Sequence, residues 1–148
     1  MPSEPPAELR AVADTNTVVS GLLWQGAPRA LLDAARSGQI SLYTSAALLA
    51  ELAEVLPRAK FAKRVAVAQM SVERLVRRYA RLARSITPAE IKPTVLADTD
   101  DDAVIACALA AGVDLIVTGD KRLLNIKSHI GIPLVTVAEA LRRLTERA

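Results

Sequence analysis

The chain has 148 residues, is 51% hydrophobic, carries a formal net charge of +3 and contains one cysteine. That is enough apolar material for one domain with a proper core, and too little length for a second. No run approaches a membrane span, and a lone cysteine rules out an internal disulfide, which fits a reducing cytoplasm. Residues 1–8 open with Met1-Pro2-Ser3-Glu4-Pro5-Pro6, too polar and proline-rich for a signal peptide. They read as a disordered lead-in to a single domain over 9–148.

In chain order, a first strand over 9–13 ends in Asp14-Thr15-Asn16, and a short helix follows over 17–23. Pro28 suits the first turn of a second helix that stops at Gly38. A strand over 40–43 leads to Ser45, a good N-cap for a helix over 46–56, closed by Pro57. Glu51 and Glu54 lie near the border of that helix's leucine stripe.

The next stretch is basic. Nine of the nineteen Lys and Arg residues lie between Arg58 and Arg84, against one acid, Glu73. Ser71 caps an amphipathic helix in which Val72, Leu75, Tyr79, Leu82 and Ile86 recur at helical spacing. Arg74, Arg77, Arg78, Arg81 and Arg84 gather on its other side, either as a solvated face or as a surface for a polyanion, RNA or an acidic peptide. Residues 86–91 form a weak strand limited by Pro88 and Pro93.

Four aspartates lie between Asp98 and Asp102, ahead of an alanine-rich run that is apolar on every side and reads as a buried helix ending at Gly112. Capping that helix uses one or two acids, not four. Leu115-Ile116-Val117 is then a short buried parallel strand running into Thr118-Gly119-Asp120. A helical turn over 121–124, a strand over 133–137 and a helix over 138–147 complete the chain. Strands and helices alternate throughout, which predicts a three-layer α/β/α sandwich around a mostly parallel sheet.

In such a sheet a helix starts, and the next strand ends, at the carboxyl edge, where open α/β sheets bind ligands. Asp14, Asp102 and Asp120 converge there, although the last two are eighteen positions apart. Glu51 can lean toward the same edge, with Glu54 as its close rival, and Asp101 can support from a neighbouring position. Gathered carboxylates repel unless a cation neutralises them. A hard oxygen site without a His or Cys cluster suits Mg²⁺ or Mn²⁺ and phosphodiester hydrolysis. Asn16 and Thr118 are placed to fix carboxylates by hydrogen bonding.

The pieces Val12-Ala13-Asp14-Thr15-Asn16, Gly26-Ala27-Pro28-Arg29, Leu49-Ala50-Glu51-Leu52, Asp101-Asp102-Ala103-Val104-Ile105 and Val117-Thr118-Gly119-Asp120-Lys121, in this order and spacing, carry a resemblance over nearly the whole chain. The sequence resembles PIN-domain ribonucleases, in particular the toxin subunits of type II toxin–antitoxin pairs. The resemblance implies metal ligands at Asp14, Glu51, Asp102 and Asp120, and so raises Glu51 above Glu54. It also implies metal-dependent RNA cleavage, a homodimer and inhibition by a cognate antitoxin. The alternative is a catalytically idle PIN module that binds RNA or a protein. A haloacid-dehalogenase-like phosphatase fits less well, because it needs a second acid two positions after its nucleophile, where this chain has Asn16.

Overall fold

The computed structural model describes residues 8–87, 99–129 and 131–147. The expected lead-in, apart from Glu8, falls outside them. So do most of the weak strand expected over 86–91 and Asp98, the first of the four clustered aspartates. Among the described residues fifteen elements follow one another, with a 3-10 turn at Ala59–Phe61 among them. The strands are β1 (Leu9–Ala13), β2 (Ile40–Thr44), β3 (Arg84–Ser85), β4 (Leu115–Val117), β5 (Ser128–His129) and β6 (Ile132–Val135). The helices are α1 (Thr15–Leu23), α2 (Ala27–Arg36), α3 (Ala46–Val55), α4 (Ala62–Ala68), α5 (Val72–Leu82), α6 (Thr99–Ala111), α7 (Lys121–Ile126) and α8 (Val137–Arg147).

The strands form one sheet in the order β3-β2-β1-β4-β6-β5. Every pairing is parallel except β5 with β6. Alternate side chains point to opposite faces of a strand, and the core divides accordingly. Leu9, Ala11, Ala13, Leu115 and Val117 pack with α1, α2, α3 and α5 on one face. Val12, Ile116 and Leu134 pack with α6 and α7 on the other. The result is the three-layer α/β/α arrangement that the alternating pattern predicts.

Helix α6 is buried along Val104, Ile105, Ala106, Cys107 and Ala108, as an all-round apolar helix must be. It stops at Gly112, whose φ of +62° lies in the left-handed region that glycine enters without a Cβ penalty. Burial pushes the Cys107 thiol up to about 11. Burial also raises the Tyr79 phenol well above its ordinary value, and its hydroxyl has no partner among the described residues. Both groups stay protonated in the folded chain at pH values where the unfolded chain ionises them. Stability is therefore present below the thiol's ordinary 9.0 and is lost as pH rises from there through about 11. Melting temperature is expected to fall across that window, and iodoacetamide to label Cys107 only in unfolded protein. Rapid labelling of native protein would contradict this.

The first two helices approach unusually closely. A Cβ added at Gly21 would lie 2.7 Å from Leu32 Cδ1 and 2.8 Å from the backbone oxygen of Pro28. The Arg29 guanidinium donates to the carbonyls of Gly21 and Leu22 at 2.6 and 3.0 Å, satisfying the orphan end of α1. Gly21→Ala forces backbone apart at that crossing, so it is expected to cost about 1–3 kcal/mol, read as a lower urea midpoint with unchanged slope.

β3, α4 and β5 have no counterpart in the sequence reading, and three expected elements have shifted bounds for identifiable reasons. The basic helix ends at Leu82, because Ile86 leaves its stripe and packs into the core on the far side of the sheet, its N–H donating to the Thr44 carbonyl. The last strand covers Ile132–Val135, because Thr136 turns the chain into α8 and its hydroxyl accepts from the N–H of Glu139 at 3.1 Å. Helix α1 starts at Thr15, two residues early, because Asp14 itself is its cap.

Candidate metal centre at the carboxyl edge

β1 is flanked by β2 on one side and β4 on the other, so the strand order reverses at β1, the switch point where ligands bind in such sheets. The register pairs Ala13 with Val117, which brings the two following turns, Asp14 and Thr118-Gly119-Asp120, side by side. The Asp14 N–H donates to the Val117 carbonyl at 3.0 Å and continues the ladder one step past the strand.

Asp14 is a buried carboxylate, 7% exposed. Its Oδ1 accepts from the N–H of Thr17 at 2.9 Å, the N-cap bond of α1. Its Oδ2 accepts from the Thr118 hydroxyl, whose oxygen in turn accepts from the N–H of Asp120 at 3.0 Å. One fully buried threonine thus ties the two acid-bearing turns together. Asp120 caps α7, accepting from the N–H of Arg122 at 2.8 Å, and its Oδ2 lies 3.4 Å from the Arg122 guanidinium.

Both acids line a cleft of about 370 Å³ together with Asn16, Thr17, Ser20, Pro28, Thr118, Gly119, Thr136 and Val137. Among the described residues no basic side chain lines this wall, and the Arg122 guanidinium reaches Asp120 from outside it. Two carboxylates, hydroxyls and an amide are the hard oxygen donors that Mg²⁺ or Mn²⁺ takes. Mg²⁺ keeps several waters and needs only one or two protein carboxylates, so this donor set fits such an ion.

The other two expected ligands, Glu51 and Asp102, are not among the described residues that line this cleft. Glu51 is half-buried on α3 and Asp102 half-buried in the first turn of α6, two helices that pack against each other. Glu54, the rival of Glu51, is exposed. Among the described residues no three carboxylates, histidines or cysteines come close enough together to hold an ion. Asp101 lies on α6, but its side chain falls outside the description. Arg74, Arg77, Arg78 and Arg81 are exposed on α5 and line a separate cleft with Met70. Ser20 and Thr136 were not anticipated. For Thr136 a signal existed, since a hydroxyl three residues before Glu139 marks a helix start at a strand's carboxyl end.

Among the described residues no helix is long and apolar enough to cross a membrane. Among curated proteins, none matches the chain. The sequence model of the PIN domain, a family whose members are typically nucleases that use divalent metals, matches residues 10–122. That match spans both acid-bearing turns and four of the five parallel strands, and on it the chain belongs to the PIN domain family.

Proposed function

We propose that this protein is a Mg²⁺- or Mn²⁺-dependent endoribonuclease, the toxin half of a toxin–antitoxin pair, acting as a homodimer in the cytoplasm. The observation that carries the nuclease reading is the cleft at the switch point. It presents the Asp14 and Asp120 carboxylates, and among the described residues no basic side chain lines its wall. Asp14 and Asp120 would hold the ion, with Glu51 and Asp102 completing the acid set from α3 and α6. A divalent ion bound there supplies charge neutralisation on the scissile phosphate and acidifies the attacking water. The chain's own residues do the rest. Thr118 fixes the Asp14 rotamer, and the Thr17 N–H holds its other oxygen. Asn16 is exposed at the rim, where it can orient a water or a phosphate oxygen. The toxin role, the antitoxin and the dimer rest on the sequence pattern shared with toxin subunits.

Purified protein incubated with total RNA is expected to cut in Mn²⁺ and to stop in excess chelator, with discrete ends on mapping. Mn²⁺ is also expected to raise the melting temperature with concentration, by about 2.7 kcal/mol of stability at a hundredfold excess over Kd. One observation favours the catalytically idle alternative, namely that only two of the four expected acids line the cleft. A melting temperature indifferent to Mn²⁺ and RNA left intact would establish that alternative.

A further inference from the structure

Away from the acidic cleft, α4 and α5 build a second surface. Helix α4 buries none of its residues, and Val67 on it is 70% exposed. Beside it runs a groove of about 530 Å³ whose wall includes Leu56, Ala62, Val65, Ala66, Met70 and Val72. Pro57 and Val72 continue it into a further depression lined by Ala53 and Val76, with Glu73 at the end away from the arginines' cleft, whose lining does not include it. At its other end Met70 is shared with a cleft otherwise lined by Arg74, Arg77, Arg78 and Arg81. These four arginines occupy one stripe of α5 at spacings of three and four. Like charges at that spacing destabilise a helix. Among the described residues no carboxylate pairs with any of them, and Arg78 donates to the Met70 sulfur at 3.9 Å. A self-repelling cationic stripe bordering an apolar trough is complementary to a ligand with the reverse pattern.

We propose that the α4–α5 surface docks an amphipathic helix of a protein partner, its aliphatic stripe in the Leu56–Met70–Val72 trough and its acidic flank on Arg74, Arg77, Arg78 and Arg81. Helix-in-groove recognition reads anchors at helical spacing, and α5, eleven residues long, offers about 16 Å of track, enough for three turns. RNA fits less well. Single strands gain their affinity by stacking bases on aromatic rings, and none of the described residues lining the trough is aromatic. A second copy of this chain fits less well too, because a two-fold contact through this face would set arginine against arginine. This surface is independent of the nuclease reading, and its test involves no RNA turnover.

The probe is a fluorescein-labelled helical peptide of about 16 residues, with Leu at i, i+3, i+4 and i+7 and Glu on the opposite flank. Its Lys-for-Glu counterpart and a single-stranded RNA of similar charge are the comparisons, read by anisotropy against the full-length protein at low and high salt. The acidic peptide is expected to bind, the Lys peptide to bind at least about tenfold more weakly, and added salt to weaken the acidic peptide. The double variant Arg77→Glu/Arg81→Glu is expected to weaken the acidic peptide at least about tenfold. Ala66→Gln, which places a polar group in the trough, is expected to weaken it about fivefold without altering its salt dependence. All three positions, 66, 77 and 81, are exposed, and unchanged melting of the variants verifies the fold. RNA binding that falls in the arginine variant and is indifferent to Ala66→Gln, with no peptide binding, would assign the face to nucleic acid and overturn the proposal. Absence of binding by any probe would make it a solvated face, and a loss of oligomer mass in Ala66→Gln without peptide binding would make it a contact between copies.

Discussion

Replacing Asp14 with asparagine is expected to cut metal-dependent RNA cleavage by at least about a thousandfold while leaving the melting temperature unchanged or slightly higher. The two halves of that expectation come from different atoms. Asn is as good an N-cap as Asp, so Oδ1 goes on accepting the Thr17 N–H at the start of α1. The new amide can donate to the Thr118 oxygen, which has lone pairs for it and for the Asp120 N–H together. What asparagine cannot supply is negative charge to a cation. In the protein without metal that loss is a relief, since Asp14 is buried and shares its cleft with the Asp120 carboxylate. Asp14→Ala is the contrasting control. It also loses the cap, at about 1 kcal/mol, so both activity and stability should fall. Cleavage by Asp14→Asn at the parent rate would remove the carboxylate from the reaction.

The architecture was legible because its signals are local and periodic. β1 and β2 end at polar turns, α6 is apolar on every side, and Gly112 sits where a helix must stop. Elements that bury little left no such trace. Helix α4 buries no residue completely, and the stripe of the segment 62–68 is one valine between alanines, too weak to read as a helix. β5 has two residues, too few for an alternating pattern, and Gly131, with a φ of +77°, lies between it and its antiparallel partner β6. The Ile86 stripe position misled for a different reason. Helical spacing continues on paper past Leu82, but the next apolar residue is claimed by the opposite face of the sheet.

At the site, the rule that acids after parallel strands meet at one edge puts Asp14 and Asp120 together, and the structure places both in one cleft. The rule has less hold on Glu51 and Asp102, which sit on helices. A helical side chain's direction depends on rotation about the helix axis, and that is fixed by packing of α3 against α6 rather than by strand register.

Thr118→Val tests whether the buried hydroxyl organises the acids. Valine has nearly the same shape, and the backbone bond from the Thr118 N–H to the Val135 carbonyl, 2.9 Å, survives. Two side-chain bonds do not. Asp14 Oδ2 loses its donor and the Asp120 N–H loses its acceptor. An orphaned polar group costs about 1–3 kcal/mol, which should appear as a lower urea midpoint. The functional loss should be of another kind. With the Asp14 rotamer free and the Asp120 turn released, metal affinity is expected to fall about 10–100-fold. If the hydroxyl acts only by positioning, saturating Mn²⁺ restores most of the rate, so the metal dependence moves far more than the maximal rate. Thr118→Ser, which keeps both bonds, should recover the parent's affinity. A valine variant with the parent's metal dependence would show that Asp14 and Asp120 are held in place by their helix caps alone.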